Sequence, residues 1–150
     1  MRKYILAFAL FSISHSLWAQ EGYNISITLK PYRNSYLYLG YYYGNKKALA
    51  DSTLLDANSK GVFKGKQPLT GGIYFIVSPK KEILFEVLID KQQNFSISAD
   101  TSTIPAGVIF TNSKDNTLFQ HYTNFATKTG QAAAKANQEL NTVKNAKDSA

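Results

Sequence analysis

Cysteine is absent from all 150 residues. The chain therefore has no disulfide to staple it, no thiolate for nucleophilic or redox chemistry, and none of the sulfur ligands that zinc sites favour. Methionine and tryptophan occur once each, as Met1 and Trp18, and histidine twice, as His15 and His121. Charge is sparse at 18%, with 17 Lys and Arg against 10 Asp and Glu, a formal net charge of +7. No stretch after the N-terminal one is apolar for long enough to span a bilayer.

That N-terminal stretch has a definite grammar. Arg2 and Lys3 form a short basic region, Tyr4 to Trp18 is nearly uncharged, and Ala19 follows with Leu17 two positions before it. The run is too short for a membrane span and lacks a charged stop-transfer flank, so residues 1–19 read as a secretory signal peptide. The expected destination is the periplasm or cell envelope, after cleavage near Ala19. With no cysteine near the cut, a lipid-anchored lipoprotein is not expected. Cleavage removes Met1, Trp18 and His15, leaving His121 as the only imidazole, and lowers the charge from +7 to +5 by removing Arg2 and Lys3. An exported domain so poor in reactive side chains suits binding or accessory work better than catalysis.

Residues 20–150 suffice for one domain and an appendage. With 44% hydrophobic and 13% aromatic residues, the chain can build a core by packing alone. The basic doublets after the leader, Lys46–Lys47 and Lys80–Lys81, read as turn lysines that keep strand edges soluble. No element gathers the basic cluster of a nucleic-acid binder, so no such partner is expected.

From Tyr23 to Phe110, short alternating runs of β-branched and aromatic residues are punctuated by turn chemistry. Tyr23 to Leu29 puts Tyr23, Ile25, Ile27 and Leu29 on one face, as a half-buried strand does. Tyr36 to Tyr43 follows, then a turn over Gly44 to Lys47 and a strand from Ala48 to Asp56. Asn58 to Gly61 reads as a hairpin connection, with Gly61 free to take positive φ. Val62 to Lys66, Ile73 to Val77 (apolar on both faces), Glu82 to Ile89, Asn94 to Ser98 and Val108 to Phe110 complete about eight short strands. Such spacing predicts an antiparallel β-sandwich over residues 20–111.

The period then changes. Asn112-Ser113 can cap a helix from Lys114, and Leu118, Tyr122, Phe125 and Thr129 follow at three- and four-residue steps. Beyond Gly130 the stripe fades into Ala132, Ala133 and Ala136 before Leu140 and Val143. A helix with so thin a stripe packs on something else or serves as a semi-rigid connector. Residues 112–150 therefore read as a helical connector, cut mid-segment.

No catalytic arrangement stands out. His121 sits beside the apolar stripe with no carboxylate three or four residues away, which suits a surface histidine better than a general base. Glu82 and Glu86, four apart on one strand, would lie roughly 13 Å apart, too far for a glycosidase pair. Gly61, Gly65, Gly71 and Gly72 lack the strand–loop–helix context of a phosphate cradle. No cofactor and no metal is expected. Tyr36, Tyr38, Tyr41, Tyr42 and Tyr43 form the one candidate binding surface, because tyrosine joins apolar area to a polar tip. Ordinary strand packing, with alternate rings in and out, is the competing reading.

The ordered features resemble a known family. They are the exported N-terminus, Gly22 to Ile27, Tyr36 to Tyr41, Asp51-Ser52, Asp56 through Gly65, Gly71 to Tyr74, Phe85 to Asp90, Phe95 to Ile97, and Asn112-Ser113 with Asn116 opening a helix. Together they resemble the β-sandwich domain of unknown function at the N-terminus of exported thioredoxin-like proteins of Gram-negative envelopes. The resemblance spans Gly22 to about Gln131. In that family a helical segment and then a thioredoxin-fold domain follow, of the thiol-disulfide interchange or alkyl hydroperoxide reductase/thiol-specific antioxidant type. Where the family often has Gly-Ser before the helix, this chain has Asn112-Ser113, and asparagine also tolerates the left-handed conformation. The redox domain and its Cys-x-x-Cys are missing, so no catalytic residue carries over.

The resemblance implies a non-catalytic accessory or docking domain, whose partner is a thioredoxin-like domain of the parent chain or an envelope protein. The alternative is a stand-alone envelope binding module that uses the tyrosine strand for a glycan or protein.

Overall fold

The computed structural model describes residues 22–148, so the leader lies outside the described residues. Eight strands precede one helix: β1 (Tyr23–Lys30), β2 (Tyr36–Tyr43), β3 (Lys46–Leu54), β4 (Lys60–Gly65), β5 (Gly72–Val77), β6 (Ile83–Ile89), β7 (Asn94–Asp100), β8 (Ile109–Thr111) and α1 (Lys114–Asp148). They form two four-stranded sheets, ordered β4-β1-β7-β8 (sheet A) and β3-β2-β5-β6 (sheet B). The expected mainly-β sandwich with a C-terminal helix is what the chain forms. All pairings are antiparallel except β1 with β7, which run parallel from Asn24↔Asn94 to Lys30↔Asp100.

Alternation decides which side chains meet between the sheets. Ile25, Ile27, Leu29, Phe63, Phe95 and Ile97 of sheet A face Leu37, Leu39, Ile76, Phe85, Val87 and Ile89 of sheet B in one buried core. Both outer faces mix polar and apolar side chains: sheet A turns out Ser26, Thr28, Lys60, Val62, Lys64, Ser98 and Ile109, and sheet B turns out Tyr36, Tyr42, Lys47, Leu49, Ser52, Leu54, Ile73 and Glu86.

Several local expectations are corrected. Lys46 and Lys47 open β3, paired with Tyr43 and Tyr42, and the hairpin is the two-residue Gly44-Asn45. Gly44 supplies the positive φ of 57° that such a turn needs. In the next hairpin the positive φ falls on Ser59 (65°), not Gly61. Gly61 instead lies within β4, where an added Cβ would come within 2.9 Å of Thr53 Oγ1. The Asp56 carboxylate fixes that turn by accepting the amides of Asn58 (2.7 Å) and Lys60 (2.8 Å). β5 is central, yet its first apolar residue, Ile73, is exposed. Glu82 precedes β6, its carbonyl accepting the Ser78 amide at 2.9 Å, so it shares no strand with Glu86.

Asn112 adopts the left-handed conformation, φ 62°, immediately before the helix. Ser113 then caps α1, its Oγ accepting the Asn116 amide at 3.4 Å while its carbonyl accepts the Thr117 amide at 3.1 Å. The helix runs unbroken through Gly130.

Candidate functional site

β6 is the free edge of sheet B, and β8 that of sheet A on the same side; α1 packs against both. A free edge presents unpaired backbone groups, which must be satisfied where they are buried. Asn116 does this as a peptide would: Oδ1 accepts the Leu88 amide at 2.8 Å, and Nδ2 donates to the Leu88 carbonyl at 2.7 Å. Nδ2 also donates to Ser113 Oγ at 3.0 Å, and Asn116 is almost wholly buried. One and two turns later, Gln120 Nε2 donates to the Pro105 carbonyl and Asn124 Nδ2 to the Ala106 carbonyl, at 2.6 and 3.4 Å.

Asn116, Gln120 and Asn124 lie at i, i+4 and i+8, so one amide-bearing face holds the helix to the sandwich. The apolar stripe points away. Leu118, Tyr122 and Phe125 are 67%, 67% and 68% exposed, far more than large apolar side chains of a packed helix.

This stripe borders a trough. A groove of about 620 Å³ is lined by Leu118, Phe119 and Tyr122 on the helix side and by Gly71, Gly72 and Leu88 on the sheet side. A second groove, about 550 Å³, shares Gly71 and Gly72 and continues to Tyr41, Tyr42, Tyr43 and Tyr74. The trough thus joins the tyrosine end of β2 to the exposed side of the helix.

The five candidate tyrosines do not form one plane. Tyr36 and Tyr38 lie on the outer face of sheet B, Tyr36 exposed and Tyr38 half-buried beneath Lys81 Nζ, 3.3 Å from its ring centroid. Tyr42 is on that face too, tilted 57° against Phe75 with centroids 4.9 Å apart. Phe75 lies across Gly40, where an added Cβ would meet its Cε2 at 2.2 Å. Tyr41 turns inward, packs on the core and stacks on Tyr74 at 5.7 Å and 32°. Tyr43 ends the strand in solvent. Only Tyr41, Tyr42 and Tyr43 come together, as walls of the groove.

The ionisable groups near this end are structural. Tyr23 donates to Asp51 Oδ2 at 2.8 Å. Burial, reinforced by that bond and the carboxylate charge, pushes its hydroxyl up to about 12. Burial also raises Tyr74, whose hydroxyl donates to the Thr70 carbonyl at 2.9 Å. His121 is exposed on α1. Among the described residues no three His, Cys, Asp or Glu side chains are grouped to hold a metal, and no helix is long and apolar enough to cross a membrane.

Sequence reasoning singled out the apolar stripe and missed the amide face, although the i, i+4, i+8 spacing of Asn116, Gln120 and Asn124 was its signal.

The fold and this surface define a two-sheet sandwich closed on one side by a side-chain-latched helix. The chain belongs to the family described as domain of unknown function DUF4369, whose model matches residues 23–119. The matched span ends at residue 119, so it includes Asn116 and leaves out Gln120, Asn124 and the distal helix. No curated protein and no solved structure gives a significant match to the chain.

Proposed function

We propose that the chain works as a non-catalytic docking domain, the N-terminal accessory domain of an exported thioredoxin-like thiol-disulfide oxidoreductase. The observation that carries this is the orientation of α1, held by its amide face with Leu118, Tyr122 and Phe125 turned outward beside the trough at Gly71–Gly72. A helix normally buries its apolar stripe, and large aromatic and aliphatic groups left outward mark a surface that another protein covers. The resemblance to the sandwich of exported thioredoxin-like proteins supplies the kind of partner. In this reading the sandwich orients the redox domain and contributes part of its substrate-docking surface.

The groove at Tyr41 to Tyr43 favours a second reading, a stand-alone envelope module that binds a glycan or protein there.

Thiol labelling separates the two, because the 150 residues contain no cysteine. Envelope fractions are treated with a polymer-tagged maleimide and blotted with antiserum to residues 22–148. The docking-domain reading expects a cysteine-bearing polypeptide whose band shifts on labelling. An unshifted band at the size of the signal-cleaved chain would leave the stand-alone module.

A further inference from the structure

We propose that the trough beside α1 receives a basic side chain, an arginine or lysine set between apolar neighbours on the protein segment that docks there. The inference rests on the docking-domain reading and deepens it, because it names the partner's chemistry at that same surface. It starts from a local reversal of charge. The chain carries 17 Lys and Arg against 10 Asp and Glu, yet the groove of about 620 Å³ is lined by two carboxylates, Asp90 and Asp115, and by no Lys, Arg or His. Asp90 directly follows β6 on the sheet side, and Asp115 lies in the first turn of α1 on the helix side. The two acids therefore belong to opposite walls.

Neither acid is used by the fold as the other aspartates are. Asp51 accepts the Tyr23 hydroxyl, Asp56 accepts the amides of its turn, and Asp100 accepts both the amide and the hydroxyl of Ser102. Asp90 and Asp115 are exposed, and among the described residues nothing donates a hydrogen bond to either carboxylate. The ion pair found among those residues is Lys135 with Glu139, far along the helix. The basic residues next to the two acids in sequence, Lys91 and Lys114, do not line the groove. A helix N-terminus favours an acid at Asp115, but that accounts for one wall only. Asp90 Oδ1 lies 3.8 Å from where a Cβ on Gly71 would stand, so this carboxylate reaches the glycine floor.

The rest of the groove suits the same occupant. Tyr122, 67% exposed, offers a ring face on which a cation can lie. Leu118 and Phe119 line the wall beside it, where the aliphatic stem of a long basic side chain can rest while its head reaches the carboxylates. The floor is bare backbone: a Cβ on Gly72 would meet nothing within 4 Å, so the main chain of a docking segment can come close. One exposed carboxylate attracts a cation weakly, but two of them and an aromatic face acting on one cation favour it over a neutral side chain by about tenfold.

Peptide titration of the isotope-labelled, signal-cleaved chain tests this, with the amide signals of Gly71 and Gly72 reporting on the groove. Three blocked pentapeptides differ only in the central residue between two leucines: arginine, glutamine or glutamate. The arginine peptide is expected to shift both glycines and to bind about tenfold tighter than the glutamine peptide, with the glutamate peptide weakest. Since the signal-cleaved chain carries +5 (+7 less Arg2 and Lys3), its overall field opposes that order, and the preference must arise locally. Salt at about 0.5 M, or Asp90→Asn with Asp115→Asn, should reduce it to about twofold or less. Asp90→Asn alone leaves the helix N-terminus intact and should remove part of it, and circular dichroism checks that both variants are folded. Three results would overturn the proposal: no shift of the two glycines by the arginine peptide at about 1 mM, equal affinity for the arginine and glutamine peptides, or a preference that survives in the double variant. Self-association of the native chain that the double variant abolishes would give the groove to a second copy and overturn it as well. The docking-domain reading fails separately, on an unshifted band in the thiol-labelling experiment, whereas charge-blind peptide binding at the glycines would leave that reading standing and remove only the cation.

Discussion

Replacing Asn116 with alanine should free the start of α1 from the sandwich. The substitution removes the acceptor of the Leu88 amide and the donor to the Leu88 carbonyl, bonds of 2.8 and 2.7 Å at a site 1% exposed. Neither backbone group has β5 to turn to, because Leu88 sits on the outer edge of β6. A buried donor or acceptor left unpaired costs about 1–3 kcal/mol, so the two together cost about 3 kcal/mol if the helix stays in place. For a domain of this size that lowers Tm by about 10 °C. Urea unfolding followed by circular dichroism measures the loss, and hydrogen exchange at the Leu88 amide locates it. Asn116→Asp serves as an isosteric control. It preserves the volume and one acceptor but sets a carboxylate oxygen against the Leu88 carbonyl, so it should destabilise despite leaving no cavity. Both variants falling within about 0.5 kcal/mol of native, with Leu88 still protected from exchange, would refute the latch.

Four further outcomes are expected. Gly40→Ala, which drives a Cβ into the Phe75 ring, should cost about 1–3 kcal/mol by denaturant unfolding. Spectrophotometric titration should show a tyrosine ionising near pH 12, absent in Tyr23→Phe. Since folding raises that hydroxyl above its ordinary value of 10.0, its contribution is complete below pH 10 and is lost as pH rises toward 12. Asp56 runs the other way: the Lys60 amide, then that of Asn58, holds its carboxyl below 3.8. Its contribution is present above that pH and lost on acidification through the lower folded value, so Asp56→Ala should flatten the acid limb of the stability curve. N-terminal sequencing of the protein isolated from its native cells should begin at Gln20, and an intact Met1 start would remove the signal-peptide reading.

Strands were legible because alternation is local: Ile25, Ile27 and Leu29 announce a buried face before any partner is known. Partners were not. The parallel pairing of β1 with β7 leaves no trace in the residues of either strand. The positive φ at Ser59 was hidden for a similar reason. Glycine is the usual guess for such a position, but the Asp56 carboxylate holds the turn and Gly61 is reserved for close approach to Thr53. Of the tyrosines, alternation could separate Tyr41 from Tyr42, but not foresee that Gly40 makes room for Phe75 beneath Tyr42. The helix misled most. Leu118, Tyr122 and Phe125 look like the stripe that packs the helix on its own sandwich, whereas the free edge of β6 needed amide partners and Asn116 supplied them, leaving the stripe outward.

Site-specific photocrosslinking in the native envelope tests the docking surface most directly. A benzophenone amino acid replaces Tyr122 beside the trough or, as control, Ser26 on the outer face of sheet A. The account predicts that the Tyr122 position couples to a cysteine-containing partner sequence, identified by maleimide labelling and peptide mass, while the Ser26 position does not. Equal coupling from both positions, or a Tyr122 adduct whose partner carries no thiol, would contradict it.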